Sequence, residues 1–192
     1  MSYFQHAKVF AAGCVIALAS SVSVSAATLD FSGVQGFNGN PLILSNATIN
    51  NLSGGTVLVG PSAAGEADGF CFLLGGSCES DGEIVFNSAV SNLKFDADGF
   101  NTGDSTTITA FNGVTSLGSI VATANGNLDF SAFGLITRLF FDDNSTGAGF
   151  GFSTFDFNGS NGGTTPLPAS LPLFVAGLGT LGLLVRRKKN PQ

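Results

Sequence analysis

Between Thr28 and Asn158 the chain carries no long apolar stripe at helical spacing. It carries short runs in which apolar and polar residues alternate, separated by Gly, Asn, Ser and Asp. A period of two sends successive side chains to opposite faces of a strand, and those separators are turn formers. Leu29 and Phe31 alternate with Asp30 and Ser32, and Leu93, Phe95 and Ala97 alternate with Lys94, Asp96 and Asp98. Leu135, Thr137, Leu139 and Phe141 alternate with Ile136, Arg138, Phe140 and Asp142. The pair Phe150 and Phe152 is out of phase with Phe155 and Phe157, which predicts a bulged strand. The pattern predicts strands at 28–32, 41–50, 56–60, 83–87, 90–97, 105–111, 117–123, 127–131, 135–142 and 150–157. That set predicts an all-β domain, a β-sandwich or jelly roll with a core of Phe, Leu, Ile and Val. At roughly 130 residues such a domain buries a sufficient core unaided.

The ends of the chain have different compositions. Met1 to Lys8 is polar with one cation, Val9 to Ala19 is apolar, and Ser20 to Ala27 ends in small residues. This is the three-part layout of a secretory signal peptide, predicted over residues 1–26 as a helix that signal peptidase removes. The small residues Val24-Ser25-Ala26 or Ser25-Ala26-Ala27 suit the cleavage site. Eleven apolar residues are too few to span about 30 Å of hydrocarbon. Ala11-Ala12-Gly13-Cys14 has the look of a lipoprotein box, but the apolar run continues past Cys14, where the mature chain of a lipoprotein would begin.

Export puts Cys71 and Cys78, in GFCFLLGGSCES, in an oxidising compartment. Gly75-Gly76 can turn the chain between them, so a disulfide pinning a hairpin is expected. The rival reading is a metal site, for which two cysteines without histidine make a poor zinc set.

At the other end, Asn158 to Thr165 is a Gly/Asn/Ser/Thr linker. Pro166-Leu167-Pro168-Ala169-Ser170-Leu171-Pro172 follows, then an apolar run to Val185, then Arg186-Arg187-Lys188-Lys189. A helix from Leu167 to Val185 would run about 28 Å, enough to cross a bilayer. Its four cations should stay cytoplasmic, leaving the domain 27–157 and linker 158–165 outside. A plain single-pass anchor accounts for this. The order of a short Pro motif, an apolar helix and a terminal basic cluster also resembles the PEP-CTERM sorting signal in its PLPA-type variant, over residues 166–192. Leu167 stands where the name-giving motif has glutamate. The resemblance implies transient anchoring in the inner membrane, cleavage near the Pro motif by an exosortase-type protease, and transfer to the cell surface or matrix, often beside exopolysaccharide. LKFDADGF, TITAFNGVTSLGSI, GLITRLFFDD and GAGFGFSTFDF also resemble extracellular jelly-roll domains found on such proteins, which look similar to carbohydrate-binding folds. Gly177-Leu178-Gly179-Thr180-Leu181-Gly182 matches G-x-G-x-x-G, but it sits inside the apolar run with no βαβ unit around it.

Charge and composition narrow the function classes. Only Lys94 and Arg138 lie between Ala27 and Thr165, together with all thirteen carboxylates, a net of −11. That surface repels phosphate backbones, so nucleic acid is not an expected partner. The only His, Tyr and Met are His6, Tyr3 and Met1, and Trp is absent. Ser–His–Asp and Cys–His catalysis therefore has no base in the exported domain. A paired-carboxylate hydrolase remains open in principle, but acidic turn residues are more often solvated, and a non-enzymatic domain is expected. Glycan binding would lack its usual Trp and Tyr platforms. Calcium, as a structural ion, could use clustered oxygens at Asp96, Asp98 and Asn101 and at Asp142 and Asp143. No other cofactor is expected. The expectation is a non-enzymatic exported surface or matrix protein, with a carbohydrate- or calcium-binding module as the alternative.

Overall fold

The computed structural model describes residues 25–66, 68–145 and 149–159. Twelve strands follow in order: β1 (Ser25–Thr28), β2 (Gly36–Asn38), β3 (Leu42–Ile43), β4 (Ala47–Asn51), β5 (Thr56–Val59), β6 (Phe70–Leu73), β7 (Gly82–Asp98), β8 (Thr106–Asn112), β9 (Thr115–Ala122), β10 (Gly126–Asp129), β11 (Ile136–Asp143) and β12 (Gly151–Gly159). A one-turn helix at Pro61–Ala64 and a 3-10 turn at Ser131–Phe133 are the helical elements among the described residues. All the strand pairs are antiparallel. The all-β expectation is met.

One strand organises the rest. The first part of β7, from Gly82 to Phe86, lies between β4 and β11, and this array continues through β8 to β9, with β3 outside β4. The second part, from Val90 to Asp98, lies between β10 and β12, and that array continues through β6 and β5 to β2. β1 pairs with the far half of β12. The arrays pack face to face. Phe141 of β11 meets Phe152 of β12 at 4.7 Å, Phe72 of β6 at 5.4 Å and Phe95 of β7 at 6.1 Å between ring centroids. Aromatic faces and edges in such contacts add to the burial of their area.

The switch between arrays shows in the burial pattern. Ile84, Phe86 and Val90 are buried at even positions, then Leu93, Phe95 and Ala97 at odd ones. Asn92, at φ 51°, is the extra residue that flips the face, and Thr154 of β12, at φ 52°, is an extra residue on the other side of the Asp156–Lys94 pair. The two register shifts cancel. The bulge read from Phe150, Phe152, Phe155 and Phe157 is present at Thr154, and all four rings are buried.

Several boundaries differ from the sequence reading. The strands expected at 83–87 and 90–97 are one strand, because the bulge bends the ladder without breaking it. The strand expected at 41–50 is two, folded back where the Leu44 amide bonds the Ala47 carbonyl at 2.8 Å. The strand expected at 28–32 lies at Ser25–Thr28. Beyond it Leu29 and Phe31 stay buried, but the Ser32 amide turns onto the Asp30 carboxylate at 2.9 Å, which takes the backbone out of the ladder. In β11 the expected phase fails at its start: Ile136 is buried and Leu135 exposed, because the register with β7 shifts between Ile136 and Arg138. β2 and β6 were not expected.

Cys71 of β6 and Cys78 form a disulfide, with Cα atoms 5.5 Å apart. Gly75 and Gly76 sit at φ 63° and 100°, and Leu74 and Ser77 exchange both backbone hydrogen bonds across them. Two left-handed residues in succession are what a primed two-residue hairpin turn requires. Nearby, Asn51 at the end of β4 is a buried polar hub. Its side chain donates to the Thr56 and Leu73 carbonyls and accepts from the Ser53 and Gly55 amides and the Ser80 hydroxyl.

Asn158 and Gly159, expected in the linker, belong to β12. Ser25 and Ala26, expected at the end of the signal peptide, begin β1, opposite Gly159 and Asn158. The rest of the linker, the rest of the signal segment and the whole of 166–192, with Pro166, Leu167, Pro168, Ala169, Arg186, Arg187, Lys188 and Lys189, lie outside the described residues. Among the described residues no helix is long and apolar enough to cross a membrane.

Candidate functional site

The calcium candidates do not converge. Asp96 and Asp98 point out of β7. Asp96 accepts from the Asn127 amide at 2.9 Å, and Asp98 accepts from the Ser153 hydroxyl at 2.6 Å. Asn101 lies in the next loop, its backbone amide on Asp104 at 2.8 Å and its side-chain amide on the Gly99 carbonyl at 2.9 Å. Asp142 and Asp143 end β11, and Asp143 accepts from the Ser145 amide at 2.8 Å. Among the described residues no group of three or more His, Cys, Asp or Glu is placed to hold a metal. Asp104, which the sequence reading passed over, is buried with Oδ1 unpaired. One free oxygen falls well short of the roughly six to eight that Ca²⁺ takes.

Other carboxylates are also engaged structurally. Glu83 accepts from Asn50 at 2.9 Å and pairs with Arg138 at 3.2 Å, and the Arg138 guanidinium lies 4.1 Å from the centre of the Phe111 ring. Asp81 accepts from the Asp143 amide at 2.9 Å. Asp129 meets Lys94 at 2.7 Å and caps the Ser131 amide, and the Lys94 hydrogen bond above all holds its carboxyl well below the usual range.

An open cavity lies elsewhere among the described residues, at the junction of β1 and β12. It has a volume of about 570 Å³. The chain leaves β1 at Thr28, opposite Asp156, and the Asp30 turn brings Asp30, Ser32 and Gln35 to the rim. The Ser32 backbone amide lowers the Asp30 pKa. The left-handed bulge presents Thr154 from the other side, and Asp68 completes the rim. Leu29, Phe31 and Phe155 form an apolar floor. Phe155 stacks on Phe95 at 4.5 Å and Phe31 meets Phe70 at 5.6 Å, so the core fixes the floor. A β-branched residue in the left-handed region is strained backbone, the kind that concentrates at ligand sites.

The lining holds three carboxylates, an amide and three hydroxyls, with no Lys, Arg, His or Cys. Lys94, opposite Asp156 in the ladder, is already bonded to Asp129. Such a rim presents mainly hydrogen-bond acceptors, and it holds no Ser–His or Cys–His pair. Sequence spacing could not reveal it, because it draws on 28–35, on Asp68 and on 154–156. The one advance signal was the phase change before Phe155.

No family model matches the chain, and no curated protein matches it. Among solved structures it is similar to point mutants of CBM29-2, a family 29 carbohydrate-binding module. One is 14% identical, covering 71% of this chain and 90% of that one, with a TM-score of 0.31. Two others are each 12% identical with a TM-score of 0.33, covering 74% and 76% of this chain and 99% and 100% of theirs. Backbones that agree this loosely carry neither a fold assignment nor a ligand.

Proposed function

We propose that the chain is an exported, non-enzymatic surface or matrix protein, delivered by an N-terminal signal peptide and a PEP-CTERM-like tail. The observation that carries this reading is the Cys71–Cys78 disulfide, a bond that persists in oxidising compartments and is rare in the cytosol. The structural engagement of so many carboxylates adds to it: Asp81, Glu83, Asp96, Asp98, Asp129 and Asp143 hold turns and strands together. Intact mass of the protein from cells and from medium tests the route. A mature N-terminus near Ala27 and a C-terminus between Pro166 and Pro172 are expected. Retention of Arg186 to Lys189 in every pool would reduce the tail to a plain anchor.

The cleft favours a second reading, a saccharide-binding module delivered by the same route, with exopolysaccharide as a natural source of ligand. Carboxylates accept from paired sugar hydroxyls, and the floor of Leu29, Phe31 and Phe155 suits the apolar face of a sugar ring. A glycan array separates the readings. Specific retention that Asp156→Asn and Asp68→Asn weaken together supports the module, and retention indifferent to both variants removes the cleft from it.

A further inference from the structure

A sheet edge is a row of unpaired backbone donors and acceptors, and proteins blunt it with short strands, charge or proline. β2 spans three residues, β3 two, and β1 and β10 four each. β9 also ends its array, yet it spans eight residues. It reads Thr115-Ser116-Leu117-Gly118-Ser119-Ile120-Val121-Ala122, with no charge and no proline. Its irregularity is a bulge near the turn, where the register shifts and Gly118 takes φ 136°, and Gly118 to Ala122 pair with Ala110 to Thr106 without interruption. Among the described residues no strand covers its outer side. Val121 and Val114 are 61% and 97% exposed.

We propose that β9 pairs antiparallel with β9 of a second copy, joining two sandwiches through one continuous sheet. The bare edge selects a strand as occupant, and charge selects this strand. The domain carries thirteen carboxylates against two cations, so most faces of two copies repel. From Ser105 to Leu128 there is no charged residue at all. On this sheet the nearest charged strand is β11, two strands in from the edge, and Asp104, the carboxylate just before β8, is buried. In the dimer the two β11 strands would lie five spacings apart, roughly 24 Å, about three Debye lengths at physiological salt. Two copies can therefore meet at β9 without facing each other's charge. The inference goes beyond the surface-protein reading and stands whether or not the tail is processed.

Sedimentation velocity of the full chain in mild detergent, across a concentration series, tests it. The native chain should associate, with little dependence on salt. Ser119→Lys and Val121→Lys should each weaken association at least about tenfold, since like charges would meet across the new pair. Ile43→Lys, an equally exposed apolar position on β3, should leave it unchanged and controls for association through the tail. Hydrogen exchange on the native chain needs no variant: amides of 115–122 should gain protection as concentration rises. A native chain monomeric at every concentration, β9 amides indifferent to concentration, or folded lysine variants that associate like the native chain would each overturn the proposal.

Discussion

Asn51 gives the sharpest test of how the fold is specified. Asn51→Leu keeps the branching and heavy-atom count of the side chain while deleting five hydrogen bonds. The Ser53 amide lies in an exposed turn and can turn to water. The Ser80 hydroxyl is buried, and the Gly55 amide and the Thr56 and Leu73 carbonyls are partly enclosed. At about 1 kcal/mol for each bond that water does not replace, the variant should lose roughly 3–4 kcal/mol. Urea unfolding followed by circular dichroism would show a lower midpoint at unchanged slope. Asn51→Asp keeps the acceptor and loses the donor, setting a carboxylate against two carbonyls. That raises the new carboxyl's pKa, so its penalty should shrink as pH falls and the group protonates. A loss below about 1 kcal/mol for Asn51→Leu would mean that packing, not hydrogen bonding, fixes this corner.

Other perturbations follow from the same structure. Reducing Cys71–Cys78 should cost about 2–3 kcal/mol on the loop-entropy model, read by unfolding with and without reductant. Gly82→Ala would drive a methyl into the Phe72 ring and should lower the melting temperature, whereas Gly54→Ala in an open turn should act only through its backbone angle. Asp129 and Asp30 have lowered carboxyl pKa values, so the stability they contribute is present above 3.8 and is lost as pH falls below it. Carboxyl titration by NMR should place both below 3.8, and Lys94→Met should raise the Asp129 midpoint; an unmoved midpoint would remove the ion pair from the explanation.

What the sequence disclosed depended on how local the cause was. Leu93, Phe95 and Ala97 alternate cleanly because that half of β7 is regular, and the Thr154 bulge was visible because Phe rings mark both of its sides. The Cys71–Cys78 hairpin was legible from Gly75-Gly76 and the spacing. By contrast, the continuity of β7 depends on Asn92 and Thr154 compensating each other across two strands, a relation no local window contains. β6 was hidden because Phe70, Cys71 and Phe72 are all buried, so it lacks alternation. The cleft was hidden for the same nonlocal reason, and the carboxylates that drew attention as ligands belong to turns and strand pairs.

The position of β12 bears on mechanics. It is the last described strand and leads toward the tail, and it is bonded along one side to β7 and on the other to β6 at Phe152 and to β1, of which Ala27 and Thr28 lie beyond the expected cleavage site. In the proposed attachment, tension from the membrane or matrix enters the domain through this strand. An edge hairpin would peel open one bond at a time. β12 has neighbours on both sides, so a pull along its axis must shear two ladders together. Resistance to such a pull is a matter of unfolding rate rather than equilibrium stability, and a domain hung from β12 should let go slowly.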